Sequence, residues 1–146
     1  MSRVYWDSML FVYLLEGHPV FGPITAAILR EMVERRDTLC TSVFSVGEVL
    51  TGPRKNGFQD AADQAMRFFS GSTVEVLPFN LATSDQFSKV RALTGASPPD
   101  AIHLATAAIA SADVFLTNDK KLLQLHIPGI GYIAGLDRKI YSKYQP

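Results

Sequence analysis

The sequence predicts an α/β protein in which helices cover both faces of a mostly parallel sheet of four or five strands. One pattern in the sequence and one general rule lead to this prediction. Short runs rich in β-branched and aromatic residues alternate with longer segments of helical periodicity, and strands separated by helices pair in parallel. The length of 146 residues, of which 47% are hydrophobic, suits one core and one domain over residues 1–146.

The N-terminal part of the chain begins with a short strand and two helices. The run VYW at 4–6 is predicted as a buried strand, and it ends at Asp7. Residues 9–15 predict a short helix. Residues 22–36 carry an apolar stripe with charges elsewhere, which is typical of an amphipathic helix.

The second strand is predicted at 38–44, where TLCTSVF follows a charged segment. A short helix over 46–50 should stop at Gly52 and Pro53, because this pair is a strong stop signal. The segment 51–58 is therefore expected to be the most flexible loop. An amphipathic helix follows over 59–69.

The second half of the chain continues the alternation. The run TVEVLPF at 73–79 predicts a third strand, and 81–93 predicts an amphipathic helix. Residues 98–110 are apolar almost all round, so they should form the most buried helix. The run DVFLT at 113–117 predicts a fourth strand, and GIGYIAG at 129–135 is a weaker candidate for a fifth.

The composition excludes several classes of protein. Lys and Arg together number 14, as do Asp and Glu, and this balance excludes a strongly basic nucleic-acid coat but not a local basic patch. The single cysteine, Cys40, excludes an intrachain disulfide and a cysteine metal cluster, and its apolar surroundings favour a core residue. No segment approaches the ~20 apolar residues of a membrane span, and no cleavage-site signature follows the apolar N-terminal stretch. The expectation is a soluble, cytoplasmic protein.

Acidic residues occur where the predicted strands end. Asp7 and Asp119 follow the first and fourth strands, and Glu48 comes a few residues after the second strand. Because the carboxyl ends of parallel strands open onto one edge of a sheet, these three should meet there. Asp100 lies in the first turn of the most apolar helix. It joins the others only if that helix also begins at the same edge.

Each acid also has a local structural role open to it. Ser45 and Glu48 have the spacing of a capping box, with Glu48 in the first turn of its helix, and Ser97 and Asp100 have a looser version with prolines in the first turn. The acids that follow strands fit as N-caps of the next helices. His103 lies three residues after Asp100 and shares its side of the helix, where it either packs in the core or hydrogen-bonds an acid.

Four carboxylates in one cleft are costly without a partner. Two such charges ~4 Å apart repel by ~4 kcal/mol at an effective dielectric near 20. No His, Lys or Arg alternates with the acids in these motifs, and all-oxygen acidic ligands suit Mg²⁺ or Mn²⁺ rather than Zn²⁺. Such an ion lowers the pKa of a bound water and polarises a phosphoryl oxygen, which predicts phosphodiester hydrolysis.

Taken together, the motifs around these acids resemble those of PIN-domain ribonucleases, most closely the small VapC-like toxins of prokaryotic toxin–antitoxin systems. They are YWDS near the N-terminus, SVGE after the second strand, PPDAIHLATA, and FLTNDK. They occur in the family's order and cover essentially the whole chain. The resemblance implies a Rossmann-like three-layer α/β/α sandwich that cleaves single-stranded RNA with Mg²⁺ or Mn²⁺. It also implies a homodimer and, for a toxin, a cognate antitoxin protein as partner.

Carried over to this chain, the resemblance implies that four acids are catalytic metal ligands: Asp7, Glu48, Asp100 and Asp119. Thr117 matches the family's hydroxyl residue that orients the water or the last acid. Many members carry a further acid shortly after this motif, where this chain has Lys120 and Lys121. This difference argues against a tightly held second ion.

Other functions fit these residues less well. A PIN-like scaffold that has lost catalysis and binds RNA or a protein usually loses acids, and here all four are present. A phosphatase of the haloacid type needs a second Asp two residues after Asp7, where this chain has Met9. A receiver domain needs an acid pair and a later lysine that the sequence does not supply. A nucleotide cofactor is not expected, because no G-x-G-x-x-G follows the first strand.

Overall fold

Five parallel strands form a sheet in the computed structural model of the protein, which describes residues 1–136. The strands are β1 (Arg3–Trp6), β2 (Thr38–Ser42), β3 (Glu75–Leu77), β4 (Val114–Leu116) and β5 (Tyr132–Ala134). Their order is β3-β2-β1-β4-β5, and all neighbours pair in parallel. The predicted parallel sheet is confirmed, including its weaker fifth strand. The part of the predicted 1–146 domain that covers residues 137–146 lies outside the described residues.

Six helices connect the strands within residues 1–136: α1 (Ser8–Glu16), α2 (Phe21–Arg35), α3 (Val43–Lys55), α4 (Gln59–Ser70), α5 (Leu81–Thr94) and α6 (Pro98–Ile109). The pairs α1–α2 and α3–α4 lead from β1 to β2 and from β2 to β3. The pair α5–α6 leads back across the sheet to β4, on the other side of β1. The direction of winding therefore changes between β1 and β4. Open α/β sheets bind ligands at such a switch point.

Successive side chains along each strand point to opposite faces of the sheet, and each face has its own hydrophobic core. Val4 and Trp6 of β1 belong to the core that includes side chains of α1 to α4, whereas Tyr5 belongs to the core that includes side chains of α5 and α6. All three are fully buried. Both faces of the sheet are thus covered, which confirms the predicted α/β/α sandwich.

Helix α6 is deeply buried, as its composition predicts. Seven of its 12 residues are buried, and four of these are alanines, which allow close approach to neighbouring elements. Cys40 of β2 belongs to the same core. Burial raises the pKa of its thiol to about 12. The prediction of Cys40 as a core residue is therefore confirmed.

Helix α3 differs from its prediction at both ends. β2 ends at Ser42 because the Ser42 hydroxyl accepts a hydrogen bond from the Phe44 N–H (3.0 Å) and caps the helix. The helix then continues through Gly52 and Pro53, so the predicted stop at this pair is wrong. Of the loop predicted over 51–58, residues 51–55 are helical and 56–58 connect α3 to α4. Pro53 is buried four residues after the buried Val49, on the same side of the helix. This packing outweighs the unfavourable local propensity of proline.

Within residues 1–136, no single helix is long and apolar enough to cross a membrane. Only α1 and α2 counted together reach the required length and composition, and the two helices are bent by 106° relative to each other. Their side chains Leu10, Phe11 and Ile28 are fully buried in the core.

Candidate active site

A cavity of about 300 Å³ opens at the carboxyl end of the strands, beside the switch point between β1 and β4. It is lined by the acids that the sequence singles out, Asp7, Glu48, Asp100 and Asp119. Asp7 directly follows β1, and Asp119 lies shortly after β4. Asp100 was expected to join the other acids only if its helix begins at the same edge of the sheet, and α6 does begin beside this cavity. The structure therefore brings all four acids to one place.

Asp7 is fixed by hydrogen bonds to both of its carboxylate oxygens. Oδ1 accepts a bond from the Ser8 N–H (2.8 Å), so Asp7 caps α1 as the sequence allows. Oδ2 accepts a bond from the Thr117 hydroxyl (2.8 Å). Thr117 in turn accepts a bond from the Asp119 N–H (3.0 Å). Thr117 is fully buried and connects the first acid to the backbone of the last. Its role in orienting the water or the last acid stays a prediction.

Asp119 does not cap a helix, so that alternative is wrong. It is followed by a series of turns over residues 120–124. Its Oδ1 accepts a bond from the Lys121 N–H (3.0 Å), which caps the first turn. The Lys121 ammonium lies 3.9 Å from Oδ2, but its side chain is 82% exposed and such a pair contributes little to stability.

Asp100 is presented by the start of α6. The Ser97 hydroxyl accepts a bond from the Asp100 N–H (3.4 Å), and Pro98 and Pro99 occupy the first helical positions. The predicted cap by Ser97 is therefore confirmed. The Asp100 carboxylate makes no hydrogen bond to residues 1–136 and lines the cavity. The carboxylates of the other three acids each make a hydrogen bond within the protein.

Glu48 lies in the second turn of α3 and contacts His103 instead of the start of its helix. Its Oε1 is 2.6 Å from Nε2 of His103. The predicted capping box with Ser45 is wrong, because Ser42 caps the helix three residues earlier. The buried Ser45 hydroxyl instead lies 2.7 Å from Oγ1 of Thr41.

His103 takes both of the roles that the sequence left open. Its side chain is 2% exposed, and its Nε2 bonds Glu48 and lies 3.7 Å from Oδ1 of Asp7. Behind it, the Tyr5 hydroxyl is 2.7 Å from Nδ1. Sequence reasoning missed Tyr5, because a central strand residue carries no local signal of a partner 98 residues away. The spacing of His103 from Asp100 was the only sequence signal of this contact.

The surroundings of Asp7 shift the pKa of its carboxyl group. Burial raises the pKa of Asp7 above its ordinary value, and the Asp100 charge adds to the shift. The hydrogen bonds from Thr117 and Ser8 oppose the shift, as does the positive charge of His103 when its ring is protonated, without cancelling it. The folded protein therefore holds a proton on Asp7 more tightly than the unfolded chain does.

We expect this shift to appear as a pH dependence of stability. Because the unfolded chain releases the Asp7 proton at lower pH than the folded protein, Asp7 ionisation lowers the free energy of unfolding as pH rises from about 4 through the raised pKa. The difference in free energy of unfolding between Asp7→Asn and the wild type should therefore grow in favour of the variant over this window. Urea unfolding in EDTA at several pH values measures it. Wild-type and variant curves that stay parallel would contradict the shift.

The chemistry of the cavity fits a hard divalent cation. Carboxylate oxygens are the ligands that Mg²⁺ and Mn²⁺ prefer. As placed, no three Asp, Glu, His or Cys side chains in the described part of the chain are close enough to hold one ion. Asp7, Glu48 and Asp119 each direct an oxygen to a donor of the protein itself, and like charges separate when uncompensated. That the acids are metal ligands stays a prediction.

Solved structures of similar fold come from bacterial toxin–antitoxin systems. The structure of VapBC2 from Rickettsia felis bound to a promoter DNA fragment is 17% identical, with a TM-score of 0.74 over 91% of this chain and 98% of that chain. DNA-bound VapBC from Salmonella typhimurium is 19% identical, with a TM-score of 0.68 over 93% and 99%. A toxin–antitoxin complex from Klebsiella pneumoniae is 20% identical, with a TM-score of 0.62 over 90% and 99%. At these identities the similarity concerns the fold.

The fold and the cavity define the class of protein: a three-layer α/β sandwich with an acidic cavity at the switch point of a parallel sheet. No curated protein sequence matches the chain significantly. The sequence pattern of the PIN domain matches residues 4–127, which is most of the chain. The chain belongs to the PIN-domain family, and the resemblance found in its motifs is confirmed.

Proposed function

We propose that the protein is a metal-dependent endoribonuclease that hydrolyses phosphodiester bonds of single-stranded RNA. The observation that carries this proposal is the convergence of Asp7, Glu48, Asp100 and Asp119 on one cavity of a PIN-family fold. Local caps account for one carboxylate oxygen of Asp7 and one of Asp119 only. They do not explain why Asp100, with no hydrogen bond to residues 1–136, lines the same cavity as three other acids.

In this proposal the four acids would hold Mg²⁺ or Mn²⁺. Bound there, such an ion would supply an activated water at neutral pH and would offset the charge that develops on the phosphate. Thr117 keeps Asp7 and the backbone of Asp119 at a fixed separation through its two hydrogen bonds. The role of the protein is to orient its carboxylates and to present them at the open edge of the sheet. No covalent intermediate with a side chain is required.

We further propose that the protein is the toxin of a toxin–antitoxin pair that acts in the cytoplasm. The similar structures of VapBC and toxin–antitoxin complexes support an antitoxin protein as its partner. A homodimer, as the family resemblance implies, is part of the same proposal.

The direct test uses a single-stranded RNA labelled at either end and the purified chain. We expect internal cleavage with Mn²⁺ or Mg²⁺, its loss in EDTA, and its return when Mn²⁺ is restored. Internal cuts give 5′-labelled and 3′-labelled fragments whose lengths add up to that of the substrate, whereas stepwise removal of end nucleotides releases one of the two labels as mononucleotides. The same assay on double-stranded RNA tests the preference for single strands.

Two outcomes would contradict the proposal. Cleavage that persists in EDTA would remove the metal requirement. Absence of cleavage, together with no binding of millimolar Mn²⁺ by calorimetry, would indicate instead a PIN-like scaffold that binds RNA or a protein.

A further inference from the structure

His103 is enclosed between the sheet and the cavity. It lies on α6, three residues after Asp100, and is 2% exposed. Its ring meets Tyr5 edge-on at a centroid distance of 6.0 Å, and it lies 5.7 Å from the ring of Phe44. These neighbours restrict rotation of the imidazole. The ring can therefore hold a partner in a fixed direction.

A continuous chain of hydrogen bonds passes through this ring. The Ser42 N–H donates to the Tyr5 oxygen (3.1 Å), the Tyr5 hydroxyl meets Nδ1 of His103 (2.7 Å), and Nε2 meets Oε1 of Glu48 (2.6 Å). Ser42 also caps α3, the helix that carries Glu48. The chain therefore connects the end of β2, the middle of β1, α6 and α3 at one point.

The neighbouring donors fix the direction of the bonds. The Tyr5 oxygen accepts the Ser42 N–H (3.1 Å) and lies 2.7 Å from Nδ1, so we direct the single proton of this hydroxyl to Nδ1. The Thr41 hydroxyl donates to the Trp6 carbonyl (2.9 Å), so the hydroxyl of Ser45 donates to Thr41 and not to the imidazole. We assign Nδ1 as the acceptor and Nε2 as the nitrogen that carries hydrogen.

We propose that His103 is a positioning residue of the acidic site: held by Tyr5, it binds Oε1 of Glu48 and leaves Oε2 for a divalent cation. This inference rests on the proposed function. Oε2 of Glu48 has no hydrogen bond to residues 1–136, and the side chain is 31% exposed. A long acidic side chain at such a position has many rotamers to lose on binding an ion. A bond that restricts those rotamers beforehand strengthens binding, as outer partners of metal ligands do.

Two amide substitutions at 103 test whether Glu48 needs a hydrogen-bond donor at the position of Nε2. Glutamine at 103 places its amide nitrogen near the position of Nε2, whereas asparagine reaches only the position of Nδ1. We expect His103→Asn to weaken Mn²⁺ binding by about tenfold or more, and His103→Gln to recover most of that loss. Tyr5→Phe, which removes the support behind the ring, should give a smaller loss. Calorimetric titration of each intact chain with Mn²⁺ measures the affinity.

Thermal unfolding in EDTA separates positioning from folding. Affinities that follow the unfolding temperatures of the variants, whichever amide they carry, would overturn the inference. So would His103→Asn binding Mn²⁺ as tightly as the wild type. Wild-type protein that neither binds Mn²⁺ nor cleaves RNA would overturn the proposed function as well. The two failures are therefore distinguishable.

A spectroscopic test does not depend on the metal. Long-range ¹H–¹⁵N correlation of the wild type in EDTA distinguishes the two neutral forms of an imidazole. We expect the signature of His103 with hydrogen on Nε2 and an unprotonated Nδ1. Hydrogen on Nδ1 alone would leave Glu48 without its donor and would overturn the inference.

Discussion

Cleavage of single-stranded RNA is expected to fall about a hundredfold or more when Asp100 is changed to Asn. The substitution keeps the shape of the side chain and removes its charge. Because the Asp100 carboxylate makes no hydrogen bond to residues 1–136, the fold loses no side-chain hydrogen bond, and we expect the main effect in the cavity that Asp100 lines. Initial cleavage rates at saturating Mn²⁺ measure the change. Asp7→Asn should give a loss of similar size.

The matched control is an acid of the same type outside the site. Asp85 on α5 pairs with Lys89 (3.2 Å), and its side chain is 66% exposed. Asp85→Asn also removes one negative charge, but we expect the cleavage rate to stay within about twofold of the wild type. If Asp100→Asn cleaves as fast as Asp85→Asn, the assignment of the site is wrong.

Replacing Gly129 by Ala should lower the free energy of unfolding by about 3 kcal/mol. Two costs combine at this position. The backbone has φ = +98°, which side chains with a Cβ rarely adopt, and the added Cβ would lie 2.9 Å from the Ala108 carbonyl oxygen and 3.1 Å from Ala108 Cβ. Both atoms belong to α6, which is buried and has little freedom to move. Urea unfolding at pH 7 in EDTA measures the change.

Gly57 separates the two costs. Its φ is +70°, and an added Cβ would meet no atom within 4 Å. Gly57→Ala should therefore show only the backbone cost, about 1 kcal/mol. Equal losses for Gly57→Ala and Gly129→Ala would contradict the close packing of the segment around Gly129 against α6. A Gly129→Ala protein with no measurable folded state would agree with it.

Local patterns predicted much of the fold because burial leaves a clear signal in short segments. Residues 98–110 are apolar almost all round, and α6 is accordingly buried on most sides. Pairing of the short strand at 132–134 with β4 confirms even the weaker of the strand predictions. The extent of α3 was mispredicted for a physical reason. Gly52 and Pro53 are a local stop signal, but burial of Pro53 alongside Val49 outweighs it.

The sequence also predicted where the acids would meet, but not what holds them. Chain order places Asp7 and Asp119 after strands of one parallel sheet, and their convergence follows from that topology. The capping box of Ser45 and Glu48 was wrong because Ser42 caps the helix three residues earlier, and a four-residue pattern does not specify which of two nearby serines is the cap. That the four acids are ligands, and that residues 1–146 form one domain, stay predictions.

By itself, then, the sequence determined the order of strands and helices, the most buried helix and the edge of the sheet where the acids gather, because each depends on composition or chain order. Only the tertiary structure decided the partners of those acids. Thr117 reaches Asp7 across 110 residues of chain, and His103 reaches Glu48 across 55. Such contacts depend on the relative placement of whole elements by core packing, and no local pattern of residues specifies it.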